Sequence, residues 1–137
     1  MRDRLGAFMN INCLKIMILA AVSDGEIQDE ELHLIQMLRS NISSLKALSE
    51  TEFNTAVAEI YNALSSGIAV DLLVQNLGKE LSSEERNRGY ALAMEVCRAN
   101  FEYIPVEQEF IKELEVLWGV DPSIAAAVTM SADLRYT

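Results

Sequence analysis

A chain of 137 residues is long enough to bury one core without disulfide or metal staples, so a single domain over residues 1–137 is the expectation. Half of the residues are hydrophobic, yet aromatics make up only 7% and glycine and proline are scarce, which excludes the turn-rich pattern of an all-β fold and points to an all-α bundle. A net charge of −10 excludes a nucleic-acid backbone as partner, because that binding needs a clustered basic surface; a cation, a basic protein face or plain solubility fits it better.

Seven helices are predicted. The first occupies Asp3 to about Val22, with Leu5, Phe8, Met9, Leu14 and Ile18 among its core contacts, and its stretch Ile16 to Val22 is apolar on every face. An acidic turn follows, Ser23-Asp24-Gly25-Glu26-Ile27, in which Gly25 suits the positive φ that often ends a helix. The second helix begins near Asp29, with Ile27 placed to staple against Leu32 and Glu31 at the positive end of the helix, and it ends near Ser40. Asn41 to Leu48 reads as a Ser-rich linker. Ser49-Glu50-Thr51-Glu52 has capping-box spacing and opens a third helix through Phe53, Val57, Ile60, Tyr61 and Leu64, stopped by Ser65-Ser66-Gly67.

A short fourth helix, about Ile68 to Leu77, gathers Ile68, Leu72, Leu73 and Leu77 on one side, and Gly78 reads as its breaker. Ser82 and Glu85 form a second capping box, opening a helix through Tyr90, Leu92, Met94, Val96 and Cys97 that is again predicted to be buried. After a turn at Asn100 to Ile104, Pro105 takes a first helical position and leads through Phe110, Ile111, Leu114 and Leu117 to Trp118 and the stop at Gly119. Asp121-Pro122 caps a seventh helix through Ile124 and Val128, and the tail from Ser131 to Thr137 is expected to be loosely held.

Shifting the sequence by 76 residues lays Ser23 to Ile27 over Ala99 to Tyr103 without a gap. Glu31 falls on Glu107, Leu34 on Phe110, Ile35 on Ile111 and Leu38 on Leu114, so each half holds a buried helix, a polar turn and an amphipathic helix. The bundle is therefore expected to have an internal pseudo-two-fold. Ile18 and Met94, which superpose under the shift, should both lie in central helices.

Cys13 and Cys97 sit in apolar helical stretches and are too few for a secreted disulfide framework, so they read as reduced core residues. Two cysteines and one histidine do not make a structural zinc site. Asn10, Asn12 and Lys15 interrupt the one stretch that could imitate a signal peptide, and Ile16 to Val22 falls far short of the ~20 residues of a membrane span. A cytoplasmic protein with no membrane span is the expectation.

The run Ala20-Ala21-Val22-Ser23-Asp24-Gly25-Glu26-Ile27-Gln28-Asp29-Glu30-Glu31 resembles the TerB-like domains, named from bacterial tellurite resistance and found also ahead of the J domain in the membrane co-chaperone DjlA. The weaker second copy, Ala99 to Leu114 and on through Leu117-Trp118-Gly119-Val120-Asp121, adds to it. The resemblance implies an all-helical domain associated with stress or tellurite resistance, with an acidic patch that binds metal cations. Asn100-Phe101 stands where a second Asp-Gly would be expected, which argues against a symmetric second site. Without a J domain or a transmembrane helix, a whole DjlA-type protein is not expected.

Asp24, Glu26 and Glu31 are the candidate metal ligands. Asp24-Gly25-Glu26-Ile27 with Glu31 matches the second half of an EF-hand loop, but the early ligand positions would be Ala20 and Val22, whose side chains offer no oxygen. The three acids could hold a divalent cation with waters; equally, they could cap a helix and favour its dipole. His33, the only histidine, lies one turn from Glu30, and a metal-dependent enzyme built on Asp24, Glu26, Glu31 and His33 is the alternative to a binding module. No Ser/His/Asp or Cys/His nucleophile set and no phosphate loop can be assembled, so the expectation is a non-enzymatic module, without an assigned cofactor beyond a divalent cation, that meets a cation or a protein partner. Trp118 and the methionines 9, 17, 37, 94 and 130 could line a groove for a partner helix or lipid, although core packing explains them more cheaply.

Overall fold

A helix that is apolar on every side can be stable in water only when other elements enclose it, and α1 (Arg2–Ala21) is such a helix. Every residue from Asn12 to Val22 except Lys15 is buried, and Leu14, Ile16, Met17, Ile18 and Leu19 are fully so. The computed structural model describes residues 2–22, 29–42, 45–99 and 105–136, with the side chains of 2–10, 30 and 99 left aside. The acidic turn 23–28, the turn 100–104, and the expected contacts of Leu5, Phe8, Met9, Gly25 and Ile27 lie outside what is described.

The remaining helices are α2 (Asp29–Asn41), α3 (Glu50–Ser65), α4 (Val70–Lys79), α5 (Ser83–Ala99), α6 (Pro105–Trp118) and α7 (Pro122–Arg135), with no strand among the described residues. α1 lies longest against α5 and is further enclosed by α3, α2, α4 and α6. α5 is the second buried helix, with Tyr90, Ala93, Met94, Val96 and Cys97 in the core. Ile18 and Met94, the pair related by the sequence shift, are both buried. The arrangement respects the pseudo-two-fold: α2 touches α1 and α5, and α6 touches α5 and α1. No helix of the described residues is long and apolar enough to cross a membrane.

Both predicted capping boxes form. Ser49 Oγ accepts from the Glu52 N–H at 3.1 Å while Glu52 Oε1 accepts from the Ser49 N–H at 3.0 Å, and Ser82 with Glu85 repeats the exchange at 3.2 and 2.7 Å. Asp121 caps α7 by accepting from the N–H and hydroxyl of Ser123, and these two bonds hold its carboxyl below its ordinary value. Gly67 and Gly119, the expected stops of α3 and α6, have φ of +87° and +60°.

Three expectations need correction. Gly78 does not break α4; it lies inside the helix and is buried, because Trp118 rests on it. A Cβ at Gly78 would stand 2.5 Å from Trp118 Cδ1, and one at Gly89 of α5 would stand 2.8 Å from Cζ3, so both helices leave a bare patch of backbone for the indole. The ring is pinned there by a 2.7 Å hydrogen bond from Nε1 to the carbonyl of Val74. Consequently α4 turns Val74, Leu77 and Gly78 inward, and Ile68 and Leu72, expected to share one apolar side with Leu73 and Leu77, are exposed. The tail from Ser131 is also more ordered than expected: α7 continues to Arg135, and Glu95 of α5 accepts from Arg135 Nη2 and from the Tyr136 hydroxyl.

Three stability measurements follow from this packing. Ile18→Ala should lower unfolding free energy in urea by ~2 to 5 kcal/mol, as enclosed large-to-small changes do; an effect within ~0.5 kcal/mol would contradict enclosure by α5. Gly78→Ala, ordinarily helix-stabilising, should instead cost ~1 to 3 kcal/mol, because the new methyl overlaps the indole ring. The third concerns pH. Burial pushes the Cys13 thiol from 9.0 up to about 11, so between those values the folded chain keeps a proton that the unfolded chain has released. The native state then binds more protons, and stability must fall as pH rises through that interval, by up to about 1.4 kcal/mol per pH unit for the one group. Cys13→Ala should flatten this alkaline slope in urea unfolding, and an unchanged slope would place the lost proton elsewhere.

Candidate functional site

The acidic residues singled out from the sequence do not share one environment. Asp24 and Glu26 fall in 23–28, outside the described residues. Asp29 opens α2 and is exposed, whereas Glu31, two residues on, is only 4% exposed. His33 is exposed. Residues two apart on a helix are separated by about 200° around its axis, so Glu31 and His33 point to opposite sides and do not converge. Glu31 and His33, the two described residues of the metal-enzyme alternative, are thus not brought by α2 onto one side. Among the described residues no group of three or more His, Cys, Asp or Glu side chains is placed to hold a metal ion.

What the structure does bring out is a pair that the sequence shift had already aligned. Glu31 and Glu107 are the two buried carboxylates among the described residues, at 4% and 5% exposure. Each is the third residue of its helix, α2 or α6, where a carboxylate meets the positive end of the helix dipole and the first backbone N–H groups. Neither is without a partner. Moving a carboxylate out of water costs several kcal/mol unless charge and hydrogen bonds compensate it, so a residue type kept buried at both related points has a placing role there. The hydrophobic pairs of the repeat match only in part: Ile35 and Ile111 are both in the core, whereas Leu34 and Leu38 are half-buried where Phe110 and Leu114 are buried.

A cleft of about 360 Å³ between α1, α3 and α4 was not signalled by any motif. Asn12, only 2% exposed, donates through Nδ2 to Glu80 Oε2 at 3.1 Å, and Lys15 pairs with Glu59 at 2.5 Å. Four polar groups of this cleft are therefore engaged in two pairs above a floor of Ile60, Leu73 and Leu77. Asn12 was legible only as an interruption of an apolar stretch; its bond to a residue 68 positions away has no local signature. Cys13 and Cys97 are buried and form no disulfide, and the raised Cys13 thiol is protonated near neutral pH.

Of the other groups weighed from the sequence, Trp118, Met17 and Met94 are core, while Met37 and Met130 are exposed. No family model matches the chain, and neither a curated protein nor a solved structure matches it.

Proposed function

We propose that this chain is a non-enzymatic, TerB-like binding module of the stress- and tellurite-resistance-associated kind, acting in the cytoplasm, whose acidic segment at the entry to α2 engages a divalent cation or a basic protein face. The observation that supports it is the pair of buried glutamates, Glu31 and Glu107, at the same place in the two halves. Such burial anchors the start of an amphipathic helix directly behind an acidic turn, and only the first half carries Asp24 and Glu26 in that turn; the second has Asn100 and Phe101. One site beside α2, rather than two, is the consequence. The chain's charge agrees with a cationic ligand, since 21 acidic residues face 11 basic ones.

The two versions of this reading respond differently to cations. Converging carboxylates repel one another without metal, so Asp24→Asn with Glu26→Gln should raise the metal-free thermal midpoint and abolish any rise caused by a cation. Carboxylates that only favour a helix start should instead cost a few tenths to ~1 kcal/mol each when neutralised, with no cation response to lose. Thermal unfolding of wild type and double variant, with chelator and with excess calcium, magnesium, manganese or zinc, distinguishes them. A wild-type midpoint that none of the four cations moves would eliminate the cation and leave the basic protein face.

A further inference from the structure

From residue 12 to residue 22, α1 is apolar except at Asn12 and Lys15, and both of these line the cleft of about 360 Å³ between α1, α3 and α4. Residues three apart share a helix face, so the two interruptions form one polar stripe on an otherwise enclosed helix. Asn12 is 2% exposed, at a place where an apolar side chain would pack without the cost of desolvating an amide. Its Nδ2 donates to Glu80 Oε2 at 3.1 Å, and among the described residues no donor reaches its Oδ1. The cleft wall therefore offers a fixed, half-used amide whose free group is an acceptor.

The charges of the cleft do not cancel. Lys15 is matched with Glu59 of α3 at 2.5 Å, but Glu80 is met by the uncharged Asn12 amide and by no cation among the described residues. Glu80 is also the C-cap of α4, the negative end of a helix dipole, where a cation is favoured and a carboxylate is not. Its neighbour Lys79 does not line the cleft. One negative charge is thus left over, beside the Asn12 oxygen and above the apolar floor of Ile60, Leu73 and Leu77. Asn76, one turn before Glu80, brings a further amide to the same cleft.

We propose that this cleft binds a small primary alkylammonium, its ammonium donating to Glu80 Oε1, Asn12 Oδ1 and the Asn76 amide while its alkyl stem lies on Ile60, Leu73 and Leu77. Other cations fit the lining less well. A divalent metal ion would find a single unpaired carboxylate, and no group of three or more His, Cys, Asp or Glu is placed to hold one among the described residues. A quaternary ammonium has no N–H to give and is recognised by aromatic faces, of which the described lining has none. A guanidinium pairs with both oxygens of a carboxylate, and Oε2 of Glu80 is already engaged by Asn12. A primary ammonium carries three donors for these three acceptors. The volume, near the lower end for ligand sites, holds roughly ten atoms at ~30 Å³ each. The cleft shares no residue with the entry to α2, so it stands independently of the function proposed there.

The probe is n-pentylammonium chloride, followed by nuclear magnetic resonance of isotope-labelled protein at constant ionic strength. Titrated to ~20 mM, it should shift the Asn12 side-chain amide and the backbone amides of Ala63 and Leu77, with a Kd on the order of 1 mM, within the ceiling for a ligand of about six non-hydrogen atoms. Glu80→Gln, at an exposed position, keeps an acceptor for Asn12 but removes the charge, and should weaken binding about tenfold with circular dichroism unchanged. Lys15→Met removes the cleft's own cation and should tighten binding about threefold; Glu109→Gln, the same charge change as Glu80→Gln but on α6 outside the cleft, should leave Kd within about twofold. Methylammonium, which has no stem, should bind about tenfold more weakly, and tetramethylammonium and pentanoate should not shift these signals. No shift at the cleft, equal shifts with tetramethylammonium or pentanoate, or a Kd that Glu80→Gln and Lys15→Met both leave unchanged would overturn the proposal.

Discussion

The structure depends on the enclosure of α1. Leu14, Ile16, Met17, Ile18 and Leu19 occupy successive positions around the helix and all are fully buried, so no side of α1 from residue 12 onward is left for water apart from Lys15. Meeting that demand takes five neighbours, and the order of the bundle is a consequence. α5 covers the longest side because it too is rich in core side chains, and the remaining helices supply one apolar face each. At about 25 cal/mol for each Å² removed from water, burying such a helix is the dominant gain that offsets the ordering of the chain around it.

Enclosure is completed by shape rather than by more hydrophobicity. Trp118, at the end of α6, is the largest side chain to be fitted, and it is fitted by omission: Gly78 and Gly89 withdraw their side chains from the two helices it touches, and Val74 lends a carbonyl to its N–H. A glycine inside a helix costs roughly 1 kcal/mol against alanine, and the indole contact explains why two are tolerated. The indole thus joins α4, α5 and α6 through one ring.

Charge is divided in a similar way. Lys15, Arg39, Arg98 and Arg135 each tie one helix to another or to its cap, and Arg39 also stacks its guanidinium over Phe53 at 5.0 Å while donating to the carbonyls of Leu48 and Ser49. Arg86 likewise donates to the carbonyl of Gly78. Exposed pairs of this kind contribute little stability singly, but they occupy much of the scarce positive charge. The net surplus is acidic, and the two carboxylates buried among the described residues stand at helix starts.

How much of this was legible beforehand follows from how local each cause is. Both capping boxes, the stops at Gly67 and Gly119, the cap at Asp121 and the burial of Ile18 and Met94 are set by neighbours in sequence, through spacing and helical period, and each is found in the structure. The candidate site was legible only in its residue types and in the alignment of Glu31 with Glu107. That both carboxylates are withdrawn from water, and that His33 faces away from Glu31, depends on which side of α2 or α6 the bundle covers. Gly78 was misread because its partner is 40 residues further along the chain, and only packing brings an indole onto it. The outward side of α7 was hidden for the same reason, since a helix read through Ile124 and Val128 does not say which of its sides the bundle covers. Sequence by itself determined the seven helices, the ends marked by local caps and the internal repeat, because those obey short-range hydrogen bonding and periodicity. Tertiary structure alone decided which apolar face is buried and which is left to water, because that depends on how many neighbours can reach it.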